Sequence, residues 1–318
     1  MDLPCIQNLK NMKTIKYILI AIFIGTIIYT VSPLTKKENK KNQIILECPQ
    51  GYVSSKDLSE SAEIIEARLT IFGLENFTVK ASKNCPQVKI EFEDKIDVSH
   101  IKPLLLARGD IEFYRAMSRN AVSKFISTDD KLFSQMRILP LNYTENSKSS
   151  GAVMGFCYDP NVVYVNGYLD FKSFGQQELI RHCWGMSVSS KKERALYFLQ
   201  SDIFNKSLIS RDYIQNAEIY TNEGSDFAGL DLVFNAQGSK LWEEITMANL
   251  NRHIAIVIDG LVYSAPLLKT EISKGKCSIR GNYTHDQANI LVAVINNPKL
   301  PLHFKVLEQT LICQTNKL

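Results

Sequence analysis

Between residues 253 and 301 the chain spells out strand, tight turn, strand, break, strand and helix, and this stretch limits the folds open to it. Asp259-Gly260 separates the apolar runs 254–258 and 261–264. A type I′ turn needs positive φ at both central residues, which Asp and Gly tolerate, so an antiparallel hairpin is predicted. Pro266 breaks the second strand, having no N–H for a ladder. A further strand is predicted over 276–280, between Gly275 and Gly281, and then a helix over 284–297 stopped by Pro298. Thr284-x-x-Gln287 is a capping box, and Ala288, Leu291, Val292 and Ile295 give that helix one apolar face. Asp259, Gly260, Pro266, Gly275, Gly281, Thr284 and Pro301 are read as residues that shape the backbone, not as reactive groups.

Upstream, a strand is predicted at 43–47. A helix capped by Asp57 with Glu60 follows, with Leu58, Ala62, Ile65, Leu69 and Phe72 spaced by threes and fours and Gly73 as its C′ residue. Strands at 77–82 and 87–92 form a hairpin around Asn84-Cys85-Pro86. Ser99 caps a short helix through Leu106, with Pro103 near its first turn and Gly109 ending it, and a strand at 111–115 closes the unit. This βαββαβ order over 43–117 is that of a ferredoxin-like sandwich. In such a sandwich the first and third strands are antiparallel neighbours, which sets Cys48 beside Cys85, either as a disulfide or as two small buried thiols. Residues 118–200 read as an elaboration with a polar stretch at 142–150 and a β-rich run at 162–169. Residues 201–310 read as a second α+β subdomain. It has strands at 217–221 and 230–234 and a helix capped by Asn235, with Leu241, Trp242, Ile245 and Ala248 on its apolar side. The hairpin region and a last strand at 302–307 follow; 311–318 is a tail.

Residues 17–35 carry no charge. As a helix at ~1.5 Å per residue they reach ~28 Å, close to the ~30 Å hydrocarbon core of a bilayer. They are predicted as a single transmembrane signal anchor, after a short cytoplasmic segment 1–16 and before a polar linker 36–42. A cleaved signal peptide is the alternative, but no small-x-small site follows Tyr29, and Pro33 lies where cleavage would fall. Lysines flank both sides, so charge alone leaves the orientation open. The net charge of +4 is small for 318 residues, and much of it lies in the first 41. No basic face interleaved with aromatics points to nucleic acid. The five histidines are scattered and no Cys-x-x-Cys occurs, so neither a metal nor a cofactor is expected. A phosphate-binding glycine loop, Gly-x-Ser-x-Gly and His-Glu-x-x-His are all missing. The chain is therefore expected to bind, dock or move and not to act as an enzyme.

Residues 254–266 also carry a resemblance. The run Ile254-Ala255-Ile256-Val257-Ile258-Asp259-Gly260-Leu261-Val262-Tyr263-Ser264-Ala265-Pro266 resembles the first periplasmic domain of SecD, the membrane subunit of the bacterial Sec protein-export accessory complex. Ile272, Gly275, Ile279, Gly281, Thr284, Ala288, Leu300 and Pro301 fit the same family. So do Phe234-Asn235-Ala236-Gln237-Gly238 with Thr246 and Asn249, and residues 62–69 with Phe72-Gly73. The resemblance implies a base subdomain over 43–117 and a head subdomain over 201–310, held in the periplasm by a single pass through the bacterial inner membrane. It implies Sec translocon components and unfolded exported polypeptide as partners, and no catalytic residues. SecD continues into further membrane helices with ionisable residues, whereas this sequence stops at Leu318. The expected role is thus an accessory in Sec-dependent export without its own proton-driven motor. An envelope scaffold of the same fold and a truncated SecD reading frame are the alternatives. If the head binds unfolded chain, an exposed apolar groove is expected on it.

Overall fold

The computed structural model describes residues 42–49, 53–94, 96–124, 126, 134–139, 150–171, 180–187, 192–200, 206–221 and 227–310. The membrane anchor expected at 17–35 lies outside them. No helix among the described residues is long and apolar enough to cross a membrane.

The strands are β1 (Asn42–Glu47), β2 (Phe77–Ala81), β3 (Gln87–Phe92), β4 (Ile111–Ala116), β5 (Met136–Ile138), β6 (Gly155–Tyr158), β7 (Ile180–Gly185), β8 (Glu193–Gln200), β9 (Ile209–Ser210), β10 (Ile214–Thr221), β11 (Ala228–Phe234), β12 (His253–Ile258), β13 (Leu261–Ser264), β14 (Lys276–Tyr283) and β15 (Lys305–Thr310). The longer helices are α1 (Ser55–Ile71), α2 (Val98–Leu106), α3 (Val162–Phe171), α4 (Ala236–Ala248) and α5 (His285–Ile295). Three sheets result, ordered β15-β1-β3-β2, β10-β11-β14 and β5-β6-β8-β7-β13-β12-β4-β9.

The hairpin β12–β13 forms with Asp259 at φ 48° and Gly260 at φ 78°. Every residue of β12 is buried, because β13 and β4 flank it and both its faces are covered. Ile254, Ile256 and Ile258 enter one core, and Ala255 and Val257 enter another. Thr284 and Gln287 make the expected capping box, and Asn235 caps α4 by accepting from the Gly238 amide. Gly73, at φ 93°, closes α1: its own amide donates to Thr70 O and that of Leu74 to Leu69 O, the paired bonds of a Schellman motif.

Several expectations change. The strand expected to close the 43–117 sandwich forms as β4 but joins the eight-stranded sheet beside β12. Its place next to β1 is taken by β15, from the far end of the described chain. β4 buries Ile111 and Phe113 on one side and Tyr114 and Ala116 on the other. Such a strand gains most where both faces are covered. β15 (Lys-Val-Leu-Glu-Gln-Thr) is polar enough for an edge. It starts three residues later than the strand expected at 302–307, because Leu302 and Phe304 are buried in a core ahead of it. Of residues 118–200, expected as an elaboration, β5 to β8 lie in the sheet of β4 and β12.

The run at 162–169 is helical, not β. The Asp159–Asn161 turn launches α3, and Val165 and Leu169, one turn apart, pack on Trp184 and Phe198, while Val163 and Tyr164 are 75% and 72% exposed. The caps of α1 and α2 sit earlier than expected. Ser54 accepts from the Asp57 amide, and Asp97 from the Ser99 amide. Pro103 thus lies inside α2, and α2 ends at Leu106, ahead of Gly109. Ala248 is exposed, and Thr246 and Asn249 join Trp242 and Ile245 in the buried set.

Helix α5 has two apolar faces where one is expected. Ala288, Leu291 and Ile295 pack into the core of β11, β12, β14 and α4. Ile290, Ala293 and Val294 pack into the core of β1, β3, α1 and α2. Each large side chain buried this way is worth ~1.5–3 kcal/mol, so α5 makes the two cores share a wall.

Candidate functional site

The hairpin exit builds a cleft. After Ser264 the chain does not continue along β13 but returns beside the start of β12. Ile254 N donates to Pro266 O (3.2 Å), Leu268 N to Arg252 O (3.0 Å) and Asn251 N to Leu268 O (2.8 Å). Pro266 makes this exit, since a proline cannot extend the ladder. The far end of the returning segment is pinned by the Thr246 hydroxyl, which accepts from Ile272 N at 3.0 Å. Between this segment and β14 lies a cleft of ≈ 760 Å³. Its floor is Trp242, Ile254, Ile256, Leu268 and Ile272, and its rim carries Lys269, Thr270, Lys276, Ser278 and Arg280.

Two features of the cleft suit an extended chain. Among the described residues β14 pairs only with β11, so its other edge keeps free N–H and C=O groups. Lys276 and Arg280 are held by β10, through Glu218 (3.6 Å) and the ring of Tyr220 (5.7 Å). In addition Trp242 is only 1% exposed, yet its Nε1–H has no acceptor among the described residues. A buried indole N–H ordinarily finds one. Phe113 and Phe234 hold the indole ring, with centroids 5.1 and 5.3 Å away.

The backbone-shaping residues frame this cleft. Gly275, at φ 62°, starts β14 where a Cβ would strike Ser239; Gly281 lies within β14, where a Cβ would come 2.6 Å from the ring of Tyr283. Pro266 and Gly281 line the cleft. Thr284 caps α5, and Pro301 falls in the turn between buried Leu300 and Leu302. Cys277 on β14 faces the core, and burial pushes its thiol up to about 12.

Asp259 does more than turn the hairpin. Its carboxylate accepts from Gly109 N (3.1 Å) and Asp110 N (2.8 Å), tying the hairpin tip to the start of β4. Beside it lie two arginines that sequence reasoning missed, Arg68 buried and Arg211 half-buried. Arg68 donates to Leu104 O, Ala107 O, Arg108 O and Pro298 O, the carbonyls at and beyond the ends of α2 and α5. Arg211 donates to Gly109 O, Ile295 O and Asn297 O. Helix C-termini carry partial negative charge, which suits these cations. Burial lowers the Arg68 pKa to about 10, against the opposing pull of Asp259. The only sequence signal for Arg68 is a cation on the buried stripe of α1. Cys48 and Cys85 stand as thiols on adjacent segments. Cys48 is buried with its amide bonded to Pro86 O, and Cys85 Sγ lies 2.9 Å from Ser82 Oγ and 3.2 Å from Gln87 Oε1. Among the described residues no three His, Cys, Asp or Glu side chains converge as metal ligands.

Residues 188–302 match the family model of the SecDF P1 head subdomain, a span that begins ahead of the expected boundary at 201 and contains the whole cleft. Protein translocase subunit SecD of Syntrophobacter fumaroxidans is 44% identical over 107 residues, 33% of this chain and 20% of that protein. The subunit of the same name from Endomicrobium trichonymphae is 26% identical over 261 residues, 81% of this chain and 48% of that one. The chain thus spans about half or less of these relatives. The crystal structure of SecDF in its super-membrane-facing form shares the fold with TM-score 0.52 at 18% identity, over 94% of this chain and 35% of that one. Residues 188–302 are thus similar to the SecDF P1 head subdomain, and most of the chain is similar to part of the SecD subunits.

Proposed function

We propose that this protein is a membrane-anchored accessory of Sec-dependent export that holds extended, unfolded polypeptide in the head cleft on the periplasmic side of the inner membrane. The observation that carries the reading is the cleft itself: an apolar floor beside an edge of β14 that is unpaired among the described residues. An extended chain adds to such an edge through its backbone, which makes recognition tolerant of sequence, and alternate side chains drop into the cleft. The relatives' name, protein translocase subunit SecD, supports export as the setting, with Sec translocon components as neighbours. The uncharged segment 17–35 supports the anchor.

The test is site-specific photocrosslinking in cells during export, with a photoreactive side chain at Thr270 on the rim and another at exposed Val163 on α3. Adducts with an exporting polypeptide at residue 270 and none at residue 163 support the reading. Adducts at neither, or equally at both, overturn it.

A further inference from the structure

A second cavity, of ≈ 440 Å³, opens where β4 ends and β12 begins. Among the described residues its lining includes Arg115, Lys124, Arg252 and His253 and no aspartate or glutamate. The register that pairs His253 with Ala116 brings Arg115 and Arg252 to the same end of the two strands, and Lys124 arrives from the turn after β4. Arg115 is fixed by its Nε, which donates to Asn249 Oδ1 at 2.7 Å. That amide is itself anchored, since Asn249 is 1% exposed and its Nδ2 donates to Ile245 O at 2.7 Å. The Lys124 and Arg252 side chains have no hydrogen-bond or ion-pair partner among the described residues. Ser118 and Gln200 add a hydroxyl and an amide to the wall. Three like charges around one concavity repel each other unless an anion sits among them, and among the described residues no carboxylate lines the cavity to do so.

We propose that this cavity is a binding site for a phosphate-bearing anion. Two guanidinium forks and an ammonium offer more charge than one carboxylate neutralises. A phosphate group brings up to two negative charges and several acceptor oxygens, and guanidinium binds it in paired hydrogen bonds. The volume leaves room for the group that carries the phosphate. The phosphate comes either from a free small molecule or from the headgroup of an anionic lipid.

The test uses the full chain in a neutral detergent and titration calorimetry. The probes are inorganic phosphate, short-chain phosphatidylglycerol and, as control, short-chain phosphatidylcholine, at constant ionic strength. The same titrations are run on K124A/R252A, whose two side chains are exposed and bond to nothing among the described residues; an unchanged circular dichroism spectrum checks the fold. Saturable binding of phosphate, with phosphatidylglycerol no tighter, identifies a free phosphate ligand. Tighter binding of phosphatidylglycerol than of phosphate or phosphatidylcholine identifies a lipid headgroup. In either case the double variant loses affinity roughly tenfold or more, the scale of losing charge-assisted contacts. The proposal is overturned if neither anion binds saturably, if the double variant binds as tightly as the parent chain, or if phosphatidylcholine binds as tightly as phosphatidylglycerol while phosphate does not bind.

Discussion

Replacing Arg68 by methionine tests what holds the two α5-linked cores in register. The side chain is 0% exposed and its guanidinium donates to four main-chain carbonyls, three beyond the end of α2 or in its last turn and one just past α5. Methionine fills similar space and donates nothing. Each charge-assisted hydrogen bond contributes ~1.5–3 kcal/mol, and buried acceptors left without donors add their own penalty. Against this, the variant no longer desolvates a cation, the effect that lowers the Arg68 pKa. Breaking a buried charged network by removing one member costs ~3–5 kcal/mol on balance, a large part of the ~5–15 kcal/mol of an ordinary domain. Arg68→Lys keeps the charge without the fork and falls between the two. Urea unfolding read by tryptophan fluorescence suits the measurement, because both tryptophans, Trp184 and Trp242, are buried. A loss below ~1 kcal/mol in R68M would refute the reasoning, since it would mean the four carbonyls do not depend on this side chain.

Three further outcomes follow from particular residues. Gly275→Ala places a Cβ at φ 62° and against Ser239, so a loss of ~1–2 kcal/mol or more is expected in the same urea assay; an unchanged midpoint contradicts it. Burial holds His253 and His182 below the usual 6.5, so the unfolded chain takes up protons more readily below that pH. Stability from these groups is complete above 6.5 and declines as pH falls towards the folded pKa values. The thermal midpoint is therefore lower at pH 5 than at pH 7.5, and His253→Gln narrows the gap; equal gaps in both proteins contradict the assignment. Cys277 is buried with its thiol pushed up to about 12, whereas Cys85 is half-buried beside the β2–β3 turn. Iodoacetamide at pH 8, followed by peptide mass spectrometry, is expected to modify Cys85 well before Cys277; comparable rates contradict the burial.

What the sequence discloses here is local, and what it hides is remote pairing. The Asp259-Gly260 turn, the Thr284–Gln287 capping box, the Asn235 cap and the Gly73 helix end all depend on a few neighbouring residues, and all form as read. The exchange of β4 for β15 beside β1 depends on partners about 260 residues apart. One signal for it was present, because β4 has apolar residues on both faces. Helix α5 carried a similar signal: it is apolar almost throughout from Ala288 to Ile295, the pattern of a helix buried on more than one side. Val162 to Leu169 misleads because β-branched residues favour strands only when packing agrees. The cleft could not be read directly, since it arises from the path of residues 265–272 after Pro266. The family resemblance led only to the expectation of an apolar groove somewhere on the head, and residue chemistry gave no signal, for nothing in the lining is reactive.

The measurement that bears most directly on the proposed role is amide hydrogen exchange on the full chain, with and without a permanently unfolded polypeptide such as reduced, carboxymethylated lactalbumin. If extended chain adds to the free edge of β14, exchange slows across 276–283 as the polypeptide saturates the protein, while β2 and α3 are unchanged. Saturable binding that leaves 276–283 exchanging as before, or no binding of the unfolded chain, would contradict the head cleft as its site.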